Sequence, residues 1–341
     1  MTVAGTLTRT GRGSRPAWLA VLVLLAVVAV LLSLGLGAQT VHPADVWQAI
    51  VDPDTSDATA VVRELRGPRT VLGVLCGLAL GAAGALMQGH TRNPIADPGL
   101  LGVSAGASLG VVVAIAFLGI GTFHGYIWFG FAGALAASVL VFALGSAGSH
   151  GPTPVTLALA GMALSALLAS FTSSILIGNP ETMSVFRFWV VGSLAGRDMT
   201  TAWEVAPFIL AGLVLAAVNS PALNALGLGE DVARALGQNI ALARTAGVAA
   251  VVLLAGAATA AVGPLVFAGL IVPHLARVIT GPDHRWLIPF SALLGVSLVL
   301  LADVTGRMVA RPAELQTGIV LAVVGAPFFI WLVRRIRMVR L

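Results

Sequence analysis

Lysine is absent from this 341-residue chain, and all 19 basic residues are arginine. A phosphate-binding P-loop needs a lysine, and so does an enzyme that forms a Schiff base with its substrate. The chain can therefore host neither kind of site. If ATP drives its function, a different subunit must bind the ATP.

Cysteine and clustered histidine are scarce as well. The single cysteine, Cys76, lies inside an apolar run, so it forms no disulfide within the chain and packing explains it. The six histidines are scattered, and none has the i, i+4 spacing of a helical metal site. We expect no bound metal and no cofactor.

Charge is also sparse, because only 10% of the residues are charged while 58% are hydrophobic. A soluble domain carries roughly a quarter charged residues. The 83 residues from Pro98 to Pro180 contain no Asp, Glu, Lys or Arg, and no water-soluble surface can be built from such a run. The composition predicts an all-α integral membrane protein.

Ten apolar segments approach the length of about 20 residues that a membrane-spanning helix needs. They are 17–37, 70–89, 100–120, 125–145, 153–177, 202–219, 245–262, 264–279, 287–305 and 317–333. The short segment 264–279 follows Gly263-Pro264, which is typical of a broken helix. The first segment is too long for the roughly 7–15 apolar residues of a cleaved signal peptide, so we expect it to be retained.

Ten spans place both termini on the same side of the membrane. With the termini in the cytoplasm, 12 arginines lie inside and seven outside, in agreement with the positive-inside rule. We expect one membrane domain over residues 1–341, with cytoplasmic segments at 1–16, 220–244 and 334–341. On the outer side, the apolar part of 178–201 is too short to span, and it predicts a helix that lies on the surface or dips into the membrane.

The sequence contains an internal repeat. Residues that match at an offset of 175 are the Arg-Thr pairs at 69–70 and 244–245, the Gly-Ala-Ala triplets at 81–83 and 256–258, and Pro98 with Pro273. Because the second copy begins five spans after the first, the two copies run in opposite directions through the membrane. This is the pattern of the inverted repeats found in transporters.

The cytoplasmic stretch 224–239 predicts a short amphipathic helix. Glu230 and Asp231 suit the positive N-terminal end of a helix dipole. Glycines permit the turns that flank the helix, at Gly227, Gly229 and Gly237. Four apolar residues share one face at helical spacing: Leu228, Val232, Ala233 and Leu236. That face must be covered by the chain's own bundle, by lipid or by another protein.

Polar residues within or beside the spans are candidates for a transport path. They are Gln88, Asn93, Ser104, Ser108, Ser165, Thr172 and Ser173. Small residues let helices approach closely in lipid, so packing is the alternative explanation for the many glycines and small polar residues of the spans.

Three stretches, 65–110, 227–277 and 301–335, together resemble the FecCD family of permeases. The elements RGPR, NPIADPGLLG, GLIVPHLAR and GAPFF occur in that order, and the resemblance extends from about residue 20 to 335. It implies a type II ABC importer permease with ten spans. Such a subunit pairs with a second identical or homologous permease, two cytoplasmic ATPase subunits and an extracytoplasmic binding protein.

The resemblance also implies roles for particular residues. Arginines that dock carboxylates of the binding protein would be Arg66, Arg69 and, by the match AD-x-x-x-R, Arg307; anchoring at the membrane interface is the alternative. The helix that couples to the ATPase would include Leu228, Gly229, Glu230, Asp231, Arg234 and Gly237. The inner gate would be formed by Asn93 and Ile95, facing the turn near Thr153.

These observations predict a cell-membrane permease subunit that moves a ferric siderophore and is itself no enzyme, with no nucleic-acid partner. A haem or cobalamin permease of the same family is one alternative. A gradient-driven secondary transporter is another, but it needs acidic residues in mid-span, and the nearest is Asp303 at the outer end of span nine. A membrane-embedded enzyme would need a paired nucleophile and base, which the sequence lacks.

Overall fold

The computed structural model describes residues 15–52, 56–147 and 153–338, and within these ranges it is helical and contains no strand. Most of the predicted N-terminal tail, 1–16, and the end of the C-terminal tail, 334–341, lie outside the described residues. The fold class predicted from the composition is confirmed.

The described residues form fourteen α-helices joined mostly by short turns. They are α1 Arg15–Gly35, α2 Pro43–Val51, α3 Asp57–Ala60, α4 Gly67–Thr91, α5 Val103–Leu118, α6 Phe123–Ser146, α7 Pro154–Gly178, α8 Pro180–Val190, α9 Met199–Gly227, α10 Glu230–Ala235, α11 Ile240–Val262, α12 Ala268–Thr280, α13 His284–Val309 and α14 Thr317–Met338. A π-helical segment, Val61–Arg66, joins α3 to α4, and a 3₁₀ turn, Pro98–Leu101, precedes α5.

Ten helices lie at the ten predicted spans. In the described part of the chain, eight are long and apolar enough to cross a membrane, and the shorter apolar helices α5 and α12 occupy the other two positions. The predicted break before span eight is confirmed, because α11 ends at Val262 and α12 begins only at Ala268. The apolar part of 178–201, predicted to form a short helix, does so as α8, which Asn179 caps by accepting a hydrogen bond from the Thr182 amide at 3.0 Å.

Helix α4 lies at the centre of the bundle. It is part of a continuous helix over Asp57–Thr91, and 78% of the most apolar 18 residues of that helix are buried. The corresponding value is 72% for both α11 and α13. For α1 and α7 it is only 22%, so these two helices lie at the periphery, where their apolar side chains suit lipid. Helix α4 packs against α13, α11, α9 and α12.

The two copies of the repeat lie on α4 and α11, which contact each other. Arg92 and Phe267, the two non-glycine residues with positive φ in the described ranges, are also 175 residues apart. The match of Pro98 with Pro273 has no structural counterpart, because Pro98 begins a 3₁₀ turn whereas Pro273 lies inside α12.

Glycines let α4 approach its neighbours to backbone contact. A Cβ atom added at Gly84 would lie 1.9 Å from the carbonyl oxygen of Gly269 on α12. One added at Gly81 would lie 2.1 Å from the carbonyl oxygen of Ser291 on α13. These helices therefore pack through small residues, as membrane helices do where hydrophobicity gives no drive to associate.

Replacing Gly84 with alanine should destabilise the protein, because the added methyl group meets backbone rather than a flexible side chain. Overpacking of this kind costs about 1–3 kcal/mol. We expect a lower apparent melting temperature in detergent for Gly84→Ala. The control is Gly178→Ala at the end of α7, where nothing lies within 4 Å of the added carbon. Equal melting temperatures for the two variants would contradict this packing.

Candidate functional site

A buried ion cluster joins four helices at the end of the bundle that holds the predicted docking arginines. Its hub is Asp303 on α13, which has no solvent exposure. Arg69 on α4 donates to both Asp303 carboxylate oxygens, from Nε at 2.9 and 3.1 Å and from Nη2 at 2.8 Å. Arg307 contacts the same carboxylate at 3.1 Å, and the Thr317 hydroxyl at the start of α14 donates to it at 2.8 Å.

The cluster extends to α1 through Ser33. Arg307 donates to the Ser33 carbonyl and hydroxyl oxygens, each at 3.0 Å, and the Ser33 hydroxyl also hydrogen-bonds the hydroxyl of Thr70 at 2.7 Å. Arg66 is tied to the end of α1 as well. It donates to the carbonyl oxygens of Leu34 and Gly35 at 2.8 Å and to that of Gln39 at 2.6 Å.

All three predicted docking arginines are therefore buried and paired within the chain. Arg66 and Arg307 hold α1 in place. Arg69 alone also reaches a partly exposed group, Glu314, at 2.6 Å. Docking by these residues stays a prediction, and the structure adds a second role that their positions in the sequence did not indicate, which is to hold helices together.

Helix α10 projects between α9 and α11 at the other end of the bundle. Gly229 precedes it with φ 115° and Gly237 follows it with φ 80°, so both flanking turns need glycine; Gly227 instead closes α9. Glu230 pairs with Arg244 on α11, which fixes α10 to the bundle. Arg234 contacts Asp231 at 3.2 Å.

The predicted apolar face of α10 divides between two environments. Ala233 is buried against Ala225, Leu226, Ile240 and Ala243. Leu228, Val232 and Leu236 instead remain 66%, 45% and 60% exposed. Within this chain, the described residues leave these three apolar side chains without a cover.

The residues predicted for the path lie in several different places. Gln88 is buried, donates to the Leu270 carbonyl and accepts from Arg277, both at 3.2 Å. Thr172 is buried and donates to the carbonyl of Leu168. Thr153 caps α7, because its hydroxyl accepts from the Thr156 amide at 3.2 Å. These bonds give all three residues structural roles, and their place in a path stays a prediction.

The remaining gate and path residues are more accessible. Asn93 and Ile95 are exposed, and the Asn93 side chain accepts a hydrogen bond from the Ile95 amide at 3.1 Å, which rigidifies the turn after α4. Ser104 lines a cavity of about 240 Å³ between the starts of α5 and α12. Their roles stay predictions.

Sequence reasoning missed two polar residues of that cavity, Asp97 and Thr259. Asp97 caps the 3₁₀ turn by accepting from the Gly99 amide at 2.8 Å. Gly269, which faces both Pro98 and the middle of α4, places the cavity at the depth of the bundle's centre. The sequence does distinguish Asp97 by its position, since it is the last acidic residue before the charge-free run 98–180.

The arrangement is that of a helical membrane protein with many spans. Its apolar helices suit a bilayer, it lacks the lysine of a P-loop, and one short helix presents an uncovered apolar face. Among the described residues, no three His, Cys, Asp or Glu side chains are grouped to hold a metal ion.

The model of the FecCD transport family matches residues 24–335. The chain is 45% identical to the ferric enterobactin transport system permease protein of Escherichia coli (strain K12), over 92% of this chain and 94% of that protein. It is 36% identical to the hemin transport system permease protein of Yersinia pestis, over 96% and 98% of the two chains. The chain belongs to the FecCD transport family and is a transport subunit, not an enzyme.

A solved structure supports the same assignment. It is described as an inward-facing conformation of a metal-chelate type ABC transporter, and it matches this fold with a TM-score of 0.80 at 29% identity. The match covers 94% of this chain and 99% of the other. The expected permease fold is therefore confirmed over 94% of the chain.

Replacing Asp303 with asparagine should destabilise the bundle strongly, because Arg307 would then be buried without its counter-charge and Arg69 would keep only its pair with Glu314. Breaking a buried ion pair costs about 3–5 kcal/mol. We expect a marked loss of melting temperature and of monodisperse protein. Glu314→Gln is the matched control, since this side chain is 33% exposed and should lower stability far less. Similar losses for both variants would contradict the assignment of Asp303 as the hub.

Proposed function

We propose that this protein is a permease subunit of an ABC importer that carries a ferric siderophore across the cell membrane. The observation that carries the proposal is the 45% identity with the ferric enterobactin permease along almost the whole chain, against 36% with the hemin permease. A second permease copy, two ATPase subunits and an extracytoplasmic binding protein complete the importer. Both termini are cytoplasmic, as the distribution of arginines supports.

The transport path needs room and weak contacts, not metal ligands, since the iron travels inside an organic chelate. The polar groups near the centre of the bundle, Ser104, Thr259 and Asp97, are single groups around a cavity, which suits weak contacts. Movement by alternating access then depends on coupling between the ATPase and the gate.

Helix α10 is the site of that coupling, and its connections to the gate support this role. Glu230 fixes it to α11 through Arg244. Asn219 on α9 donates to the Ala243 carbonyl at the start of α11 and lies 3.0 Å from the imidazole Nε2 of His90 near the end of α4. His90 precedes the gate segment at Asn93 by three residues. A displacement of α10 can therefore reach the gate through paired polar groups.

A gradient-driven transporter remains the alternative from another class, and Asp97 is the feature that favours it. Proton- or cation-coupled transporters use acidic groups inside the membrane. In this structure, however, Asp97 caps the turn that precedes α5, which accounts for its presence.

Proteoliposomes test the energy source directly. With the ATPase, the binding protein and internal ATP present, we expect uptake of radiolabelled ferric enterobactin, and uptake should persist after an uncoupler collapses the proton gradient. Hemin and cobalamin serve as comparison cargo, and the binding proteins specific for them are left out. Accumulation by this chain alone on a proton gradient would contradict the proposal.

Coupling should fail when the exposed face of α10 is made polar. In the double variant Leu228→Ser and Leu236→Ser, both side chains are already more than half exposed, so the fold should persist while association with the ATPase weakens. We expect normal expression and at least a tenfold loss of stimulated ATPase activity, on the order of 1.4 kcal/mol.

The matched control is Val155→Ser at the start of α7, which is 66% exposed and lies outside the α10 face. This change should leave stimulated ATPase activity within about twofold of the unmodified protein, since it removes no coupling contact. If the double variant kept its stimulated ATPase activity, the exposed apolar side chains would not bind the ATPase, and they would contact lipid or no partner.

A further inference from the structure

A groove lies between α9 and α13 at the end of the bundle that holds α10, and α4 contributes Leu78 to its lining. It measures about 580 Å³. Ala217 on α9 and Pro289 on α13 line it and are exposed, so the groove opens at the surface of the bundle. None of the residues predicted for docking, coupling or transport lines it. We call this space the α9–α13 groove.

The α9–α13 groove is polar at one end and apolar at the other. Ser220, His284 and Arg285 line the end nearest α10. Leu213 lies seven residues from Ser220 along α9, and Leu293 lies eight residues from Arg285 along α13, which places both leucines about 10–12 Å deeper in the groove. A membrane lipid has the same polarity, with a charged headgroup at the surface and a chain directed toward the bilayer centre.

The polar end of the groove lies at the level of the membrane surface. Arg285 is the second residue of α13, and its neighbour Trp286 is partly buried, with its ring edge-on to Phe290 at a centroid distance of 6.0 Å. Tryptophan is enriched where a bilayer meets water, and arginine near the end of a membrane helix extends to the headgroups. In the proposed orientation this surface is the cytoplasmic leaflet, whose surface potential is negative.

Arg285 has no partner for its charge within the described residues. Its side chain is exposed, and its backbone amide, not its guanidinium, donates to Asp283 at 3.1 Å. Arg15, Arg244 and Arg277, at the same end of the bundle, are each engaged by groups of the chain itself. The five N–H donors of Arg285 therefore stay available to a phosphate, whose oxygens a guanidinium binds in two-point contact.

Asn224 on α9 holds the two walls of the groove together at the polar end. Its side-chain oxygen accepts a hydrogen bond from the His284 amide at 2.8 Å and lies 3.0 Å from the His284 imidazole Nδ1. Its side-chain nitrogen donates to Asp283 at 2.7 Å, and Arg15 contacts the same carboxylate at 3.6 Å. The groove is thus preformed, and the carboxylate that neighbours Arg285 in the sequence is already compensated.

We propose that the α9–α13 groove binds one anionic phospholipid of the cytoplasmic leaflet. The phosphate lies at Arg285, and an acyl chain follows the walls to Leu213 and Leu293. Lipid binding rests on the proposed function for its orientation alone and is independent of the cargo. A bound lipid would join α9, which leads into α10, to the start of α13.

The shape of the groove favours a lipid over a soluble anion. Its volume lies within the range of about 300–1,000 Å³ that is typical of pockets for ligands larger than a phosphate. The walls beyond the polar end are apolar, and they open where the exposed apolar side chains of α9, such as Leu210 and Val214, suit the bilayer. A soluble anion would use Arg285 and leave these walls uncovered.

Lipid affinity, measured by native mass spectrometry of the full-length chain in detergent, tests the charge at the polar end. The probes are phosphatidylglycerol and phosphatidylcholine with identical chains. We expect the first phosphatidylglycerol to bind at least about fivefold more tightly than phosphatidylcholine, and Arg285→Ala to remove this preference. The matched control is Arg334→Ala, which removes an exposed arginine at the same end of the bundle but outside the groove, and it should change the affinity by no more than about twofold.

A second pair of variants tests the apolar walls. Ala217→Phe places a ring in the groove and should weaken binding of phosphatidylglycerol by at least about fivefold, since the chain loses its space. Ala211→Phe makes the same change at an exposed position of α9 outside the groove and should leave the affinity within about twofold. A melting curve for each variant without added lipid separates a blocked groove from failure to fold.

The outcomes separate lipid binding from its alternatives. Loss of affinity in both Arg285→Ala and Ala217→Phe, with both controls unchanged, supports the lipid site. Equal affinity for the two lipids overturns it, and so does unchanged affinity in either variant. Competition by soluble glycerol 3-phosphate as strong as that by phosphatidylglycerol also overturns it, because the walls would then contribute nothing. No binding protein, ATPase or cargo is present, so an error in the proposed function leaves these results unaffected.

Discussion

The carboxylate of Asp303 is the group on which the arrangement of helices at one end of the bundle depends. A charge with no solvent exposure is tolerated only when its neighbours satisfy it, since the penalty for burying an ion is several kcal/mol even after relaxation. Arg69, Arg307 and Thr317 supply that compensation from α4, α13 and α14. Arg307 then reaches Ser33, so one buried acid determines where four helices meet.

The positions of the membrane spans could be predicted because each span depends on one continuous stretch of the sequence. Length and hydropathy determine which segments cross a bilayer, and the ten predicted spans agree with the apolar helices of the structure. The helix predicted at 228–236 is shorter in the structure, since α10 spans only Glu230–Ala235; Leu228 and Leu236, predicted to share one helical face, flank it, and both are exposed.

The pairing of charges could not be predicted, because it joins residues that are far apart in the sequence. Arg69 and Asp303 are 234 positions apart, and neither residue's surroundings in the sequence indicate the other. Thr153 could have been predicted as a helix cap, because a threonine before a proline, with a second threonine at N3, is typical of the start of a helix. Its role in a gate, which the family resemblance implies, stays a prediction.

The backbone contacts of α4 restrict how this protein can move. Where Gly81 faces Ser291 and Gly84 faces Gly269, the surfaces interlock at a distance that leaves no space for one helix to slide along the other. Close-packed interiors have low compressibility and transmit strain. We therefore expect helices α4, α12 and α13 to move together when the protein changes shape.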